Sequence, residues 1–307
     1  MPYMDPNTTD DGRPAMAQEL LDLILDHLHY DLASLKQCAR ASRSLLPTCQ
    51  RHLFSTYQIT KSNADELAHL FTLPVSTDRH DESDTLQARV ADLLNTYTEN
   101  LILTGHSLTS RSVWDARLPE FKNVQKITFK GGELHSAITI PSFLVRAWTS
   151  PSFKIRSVEF DFRFMSQKGV VESLCVLPTV VEDISLIGFR AKYNNESFPA
   201  SSFRQYIEDQ LPSGRPRQEA HQFNGTLKFR LPTDVSETVL PVLLELGDWF
   251  KFNLKRINYR VTLRAEMFHL ASLVDKCKTS LESLDITVSF PSAYRVQPDV
   301  VSEYTGS

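Results

Sequence analysis

One spaced apolar pattern restricts this chain more than any other feature. An apolar residue is followed by two others, a second apolar residue, one other, and a third apolar residue. It occurs at Phe54, Tyr57 and Ile59; at Val124, Ile127 and Phe129; at Ile155, Val158 and Phe160; and at Val181, Ile184 and Leu186. It returns at Leu254, Ile257 and Tyr259 and at Leu281, Leu284 and Ile286. Two copies lack the leading apolar residue: Leu101-Ile102-Leu103 after Thr98, and Leu227-Lys228-Phe229 after Asn224. The alternating end of the pattern predicts a short strand with one face in a core. From Leu103 onward, the last apolar positions of successive copies are 26, 31, 26, 43, 30 and 27 residues apart.

Helix-like stretches lie between the copies, at Ser142–Trp148, Gly169–Val176, Val235–Phe252 and Ala265–Cys277. Strand, helix and strand at near-constant spacing imply right-handed crossovers and a parallel sheet. Repetition in one direction builds a solenoid with the strands along one side. The spacing resembles that of leucine-rich repeats, at or slightly above their usual 20–29 residues. The asparagine that commonly follows the third apolar position in those repeats is missing from every copy. The expected fold is therefore α/β, with an irregular leucine-rich-repeat-like solenoid over residues 57–290. The alternative is an α/β domain whose strands are not serially stacked. An irregular insertion is expected at 190–225, rich in Pro, Ser, Gly and Asn. Asp78–Asp84 reads as a solvated charged loop. Residues 1–14 read as a disordered leader and 291–307 as a loose tail.

The segment before the repeats, residues 15–56, has a different periodicity. Leu20, Leu21, Ile24, Leu25 and Leu28 cover an arc of about 140° on a helix, and Leu23 widens it to about 200°. One packed face needs only about half that width. Asp31 is a suitable N-cap for a second helix over Leu32–Arg40, with Leu32, Leu35 and Ala39 on one side. Pro47 fits only in a first turn, so a third helix is predicted from 44–47 to Leu53, with Leu46, Cys49 and Leu53 inward. Three helices in about forty residues seldom stand alone, and the surplus apolar arc predicts a partner.

These residues resemble a known family. Glu19-Leu20-Leu21, Ile24, His27-Leu28, Asp31, Ser34-Leu35, Cys38, Ser42-Arg43 and Leu53-Phe54 look like the F-box in the form found in fungal F-box proteins. Two positions depart from that pattern: the usual Leu-Pro start is Met16-Ala17, and the usual Trp is Leu45. The resemblance implies that the helical unit docks on a Skp-type adaptor of a cullin-RING (SCF-type) ubiquitin ligase. The solenoid would then hold an unknown protein substrate. The adaptor would be met by Leu20, Leu21, Ile24, Leu28 and Leu35. The competing expectation is a free-standing scaffold in which the helices only cap the first repeat.

The rest of the sequence points away from chemistry. A net charge of −4 disfavours a nucleic-acid ligand. The start of the chain lacks the cationic and apolar regions of a secretory signal, and no apolar run is long enough to span a bilayer. Cys38, Cys49, Cys175 and Cys277 form no C-x-x-C pair, which fits a reduced cytoplasmic or nuclear setting. His27 and His29 point about 200° apart on a helix and the other histidines are scattered, so no metal and no cofactor are expected. No nucleophile elbow, phosphate loop or zinc-protease motif is found, so no enzyme is expected. Gly131-Gly132 after a strand reads as a turn. For substrate contacts, Trp114 in a loop and Phe203, Arg204, Tyr206 and Arg215 in the insertion are the candidates, because Trp, Tyr and Arg anchor interfaces.

Overall fold

The computed structural model describes residues 17–60, 63, 82–104, 121, 123–131, 133–134, 155–175, 177, 180–191, 201–203, 205, 221–231, 233–247, 249–261 and 264–288. The chain divides into two compact units, residues 1–130 with 141–155, and residues 131–140 with 156–307.

The first unit opens with three helices, α1 (Gln18–His27), α2 (Leu32–Ala41) and α3 (Leu46–Phe54). The Asp31 side chain accepts from the backbone N–H of Ser34 at 3.1 Å, capping α2 as its sequence predicts. Pro47 sits in the first turn of α3, where its missing N–H costs no helical hydrogen bond. Leu25, Leu35 and Cys49 meet in a small core, with Leu28, Cys38, Ala39, Leu45 and Leu53 packed around it. Leu45 thus packs against this core. Helix α3 runs into β1 (Thr56–Ile59) and packs on α4 (Glu82–Tyr97). β1 pairs in parallel with β2 (Asn100–Thr104), and β2 with β3 (Lys126–Lys130).

The second unit holds β4 (Glu133–Leu134), β5 (Ser157–Met165), α5 (Gln167–Cys175), β6 (Val180–Val181) and β7 (Asp183–Ala191). It continues with β8 (His221–Phe223), β9 (Thr226–Arg230), α6 (Thr233–Glu245) and β10 (Phe250–Phe252). It closes with β11 (Arg256–Val261), α7 (Arg264–Lys276) and β12 (Ser283–Val288). Strands β5, β7, β9, β11 and β12 are neighbours in that order and all parallel, and β4 pairs with the far end of β5. Helices α5, α6 and α7 pack side by side in sequence, with Val170, Val171, Leu174, Val239, Leu240, Leu243, Leu270 and Leu273 buried. A second parallel sheet, ordered β10-β8-β6, brings Phe223 within 5.7 Å of Phe250 and 5.5 Å of Phe252, ring to ring.

Strand register follows the apolar pattern. Ile59 pairs with Leu103 and Leu103 with Phe129 in the first unit. In the second, Phe160 pairs with Leu186, Leu186 with Phe229, Phe229 with Tyr259 and Tyr259 with Ile286. Within each unit the third apolar position of one copy thus lies beside that of the next. The shortened copies obey the same rule: Leu101 and Leu103 are buried and Ile102 is on the other face. Where the leading apolar residue is missing, buried Thr98 takes its place and donates its hydroxyl to the Phe54 carbonyl at 3.1 Å.

A second regularity is not visible in the residue types. The residue just before a strand offers its carbonyl to two successive N–H groups of the next copy. Ser55 accepts from Glu99 and Asn100, and Glu99 from Gln125 and Lys126. Arg156 accepts from Glu182 and Asp183, Gly225 from Lys255 and Arg256, and Lys255 from Glu282 and Ser283. Neighbouring strands therefore begin at one level.

Three expectations need correction. The helix expected over Val235–Phe252 ends at Glu245, and Phe250–Phe252 is β10. A turn at Gly247 separates them, closed by N–H groups of Trp249 and Phe250 on the Leu246 carbonyl, so Trp249 is a half-buried turn residue. The charged stretch Asp78–Asp84 is not wholly loop, because α4 begins at Glu82. The insertion 190–225 is not wholly irregular, since it contains β8 and a helical turn at 201–203. Residues 1–14, 291–307 and Ser142–Trp148 lie outside the described residues. Gly131 has φ of 74°, the left-handed value a turn glycine allows, and its N–H donates to the Asp161 carbonyl at 2.7 Å.

Candidate docking surface

The apolar arc of α1 divides in two. Leu25 is 2% exposed, and Leu21 and Leu28 beside it are half-buried, Leu28 against the core of the three helices. On the other side of the arc Leu20, Leu23 and Ile24 are 54%, 55% and 49% exposed. By helical angle these three lie within about 100° of one another. Tyr30 in the following turn and Leu32 at the start of α2 are also exposed. Five of the ten exposed large apolar side chains among the described residues thus fall between Leu20 and Leu32. Isolated exposed leucines need no explanation, but a cluster on one short helix does.

Polar contacts fix the orientation of that face. Asp22 accepts from the Thr48 hydroxyl at 2.6 Å and from the Gln18 amide at 3.0 Å. Asp26 accepts from Arg51 at 3.0 Å and meets His52 at 2.8 Å. Both carboxylates tie α1 to α3, so the exposed leucines cannot roll inward without breaking the three contacts to Thr48, Arg51 and His52. The Thr48 hydroxyl, then the Gln18 amide, hold the Asp22 carboxyl below its ordinary pKa. The Ser34 hydroxyl and N–H do the same for Asp31. Burial raises the pKa of the Cys49 thiol, as expected of a packing residue rather than a nucleophile.

Of the residues expected to meet an adaptor, Leu20 and Ile24 are exposed, and Leu21 and Leu28 are half-buried. Leu35 is 0% exposed and belongs to the core of the three helices, so it is corrected from docking residue to packing residue. Leu32, expected on one side of α2 with Leu35 and Ala39, is exposed at the first residue of the helix while Leu35 is buried. Leu23 and Tyr30 were missed. Leu23 was legible as the widening of the arc, whereas the exposure of Tyr30 depends on the turn after α1.

Of the expected substrate contacts, Phe203 is 2% exposed and fixes the 201–203 turn to the protein rather than facing solvent. Trp114, Arg204, Tyr206 and Arg215 lie outside the described residues. Cys38, Cys49 and Cys277 are free thiols. Among the described residues no cluster of His, Cys, Asp or Glu could hold a metal ion, and no helix is long and apolar enough to cross a membrane. Comparison with protein families, with curated proteins and with solved structures finds no match to this chain.

Proposed function

We propose that this chain is the substrate-recognition subunit of a cullin-RING ubiquitin ligase. Its three-helix unit is an F-box that docks on a Skp-type adaptor, and its serial strand-helix copies form an irregular leucine-rich-repeat-like solenoid that holds a protein substrate. The observation that carries the reading is the solvent-facing half of α1. If the helices merely capped the first repeat, Leu20, Leu23 and Ile24 would be covered by the chain itself, yet about half of each side chain faces solvent. The three helices already have a core of their own, and α3 provides the attachment to α4. The apolar face of α1 is therefore surplus to folding and available for association. Such a subunit performs no bond chemistry; it raises the local concentration of a substrate lysine near the ubiquitin-charged enzyme.

The test is co-purification of the tagged chain with a Skp-type adaptor and its cullin. Stoichiometric recovery of both is the expected result. Absence of the adaptor from a folded, monomeric preparation overturns the reading.

A further inference from the structure

The last copy of the apolar pattern keeps its core-facing residues but lacks a neighbour to cover them. β12 pairs in parallel with β11, with Leu284 beside Ile257, Ile286 beside Tyr259 and Val288 beside Val261. The three residues on β11 are 2%, 0% and 1% exposed. On β12 the same face holds Leu284 at 43% and Val288 at 53% exposed, with Ile286 half-buried between them. Among the described residues no strand pairs with the other edge of β12, so a row of backbone N–H and C=O groups is open there. No proline, lysine or arginine stands in Ser283–Val288 to guard that edge.

The helix beside β12 is open in the same direction. Lys276 reaches the Leu244 carbonyl at 3.4 Å, which marks the flank of α7 that meets α6. Met267 and Val274 lie about 180° and 160° from Lys276 around the helix, on the flank away from α6. Met267 is 44% exposed and Val274 is half-buried. Phe268 projects from the outer side of α7, turned away from buried Leu270 and Leu273. Met267, Phe268, Leu284 and Val288 are four of the five exposed large apolar side chains that lie outside Leu20–Leu32.

We propose that this edge joins a second copy of the chain, β12 against β12 in antiparallel, as a twofold dimer with one continuous sheet. The inference is independent of the adaptor reading. A twofold that continues a sheet sets residues of one face opposite each other, so it centres on a residue of the strand. Two such registers pair five of the six residues of β12 with the same strand of the other copy. Centring on Asp285 sets two carboxylates directly opposite, which disfavours pairing. Centring on Ile286 sets Ile286 against its own copy, Leu284 against Val288, and Asp285 against Thr287. All three apolar residues then meet apolar partners, no like charges are opposed, and Met267 of each copy lines the same seam. A twofold contact requires a patch that complements itself, and β12 meets that requirement in this register. The seam is short for a specific interface, so association is expected at about micromolar chain concentration.

Sedimentation velocity on the full chain, from about 1 to 200 µM, tests the proposal. A monomer–dimer equilibrium in that range is the expected result. Thr287→Glu should raise the dissociation constant at least about tenfold, because it faces Asp285 of the other copy at both symmetry-related pairs. Thr287 is exposed and lies beside Arg260 on β11, so the substitution spares the fold, which thermal unfolding checks. Ile286→Cys gives a second readout at the symmetry axis. With oxidised glutathione it should form a disulfide-linked dimer above the background that the native cysteines give in the wild type. A monomer throughout the range overturns the proposal and leaves residues 289–307 or another protein to cover the edge. A dimer that ignores Thr287→Glu and dissociates with Ile24→Asp also overturns it, because the contact is then the α1 face. So does the absence of cross-linked Ile286→Cys dimer.

Discussion

Ile24 and Leu25 are neighbours on α1 with opposite surroundings, and that contrast gives a sharp test of the docking surface. Ile24 is 49% exposed and Leu25 is 2% exposed. Fully burying such a side chain is worth about 1.5–3 kcal/mol, so covering the exposed half contributes about 0.8–1.5 kcal/mol. Leu20, Leu23 and Ile24 together would then contribute about 2.4–4.5 kcal/mol, or about 50- to 2,000-fold in affinity for the proposed adaptor. Ile24→Asp removes one share of this and brings a carboxylate into the interface, so binding should fall at least about tenfold with little change in folding. Leu25→Ala should do the reverse. It empties part of the small core formed with Leu35 and Cys49, at a cost of about 2–5 kcal/mol. Calorimetric titration of each variant against a Skp-type adaptor, paired with thermal unfolding, separates the two effects. The reasoning fails if Ile24→Asp binds like the wild type, or if it melts the helices as Leu25→Ala does.

Three further outcomes follow from the packing. Ile184 is 2% exposed between Val158 and Leu227, so Ile184→Asp should abolish cooperative unfolding or soluble expression; a wild-type melting curve would mean that the register is wrong. A Cβ at Gly225 would lie 2.8 Å from the Glu182 carbonyl carbon and 2.9 Å from Asp183 Oδ1, so Gly225→Ala should destabilise the second unit by about 1–3 kcal/mol in denaturant titration. Asp22 and Asp31 have lowered folded-state pKa values, so their contribution is present above the ordinary carboxylate pKa and disappears as pH falls through the lowered values, below about pH 4. Acid titration followed by circular dichroism should show that loss reduced in Asp22→Asn and Asp31→Asn.

The strand positions were legible because period-2 burial leaves a mark in residue type, and even the shortened copies at Leu101 and Leu227 kept the two residues that face the core. The helical unit was legible from its caps, Asp31 and Pro47, which act within one turn of sequence. The boundary at Gly247 was not. There, helical apolar spacing runs directly into the alternation of Phe250 and Phe252, and both patterns fit the same few residues. The proposed docking surface was half legible. The width of the α1 arc announced a surplus, but which residues lie inside depends on how α2 and α3 approach. That approach buries Leu35 and exposes Leu32, two residues that the helical period places on one side.

The longest interval in the apolar pattern shows how the copies stay in step. Phe229 follows Leu186 by 43 positions, yet the two pair directly across β7 and β9. At the other strand starts described, a backbone carbonyl accepts from two N–H groups of the next copy. Here the Asp183 side chain accepts from the Thr226 N–H at 2.8 Å instead. Gly225 lies so close to the Glu182 carbonyl that a side chain would occupy the space of its backbone atoms. A carboxylate that reaches forward and a glycine that lets the chain pass thus replace the usual double acceptor, and β9 enters at the same level as its neighbours. Gly225 then resumes the pattern by accepting from Lys255 and Arg256. An insertion of this length costs little in loop entropy, which grows only with the logarithm of length. What the insertion must preserve is the level at which the next strand begins, and in this chain that requirement falls on Asp183 and Gly225.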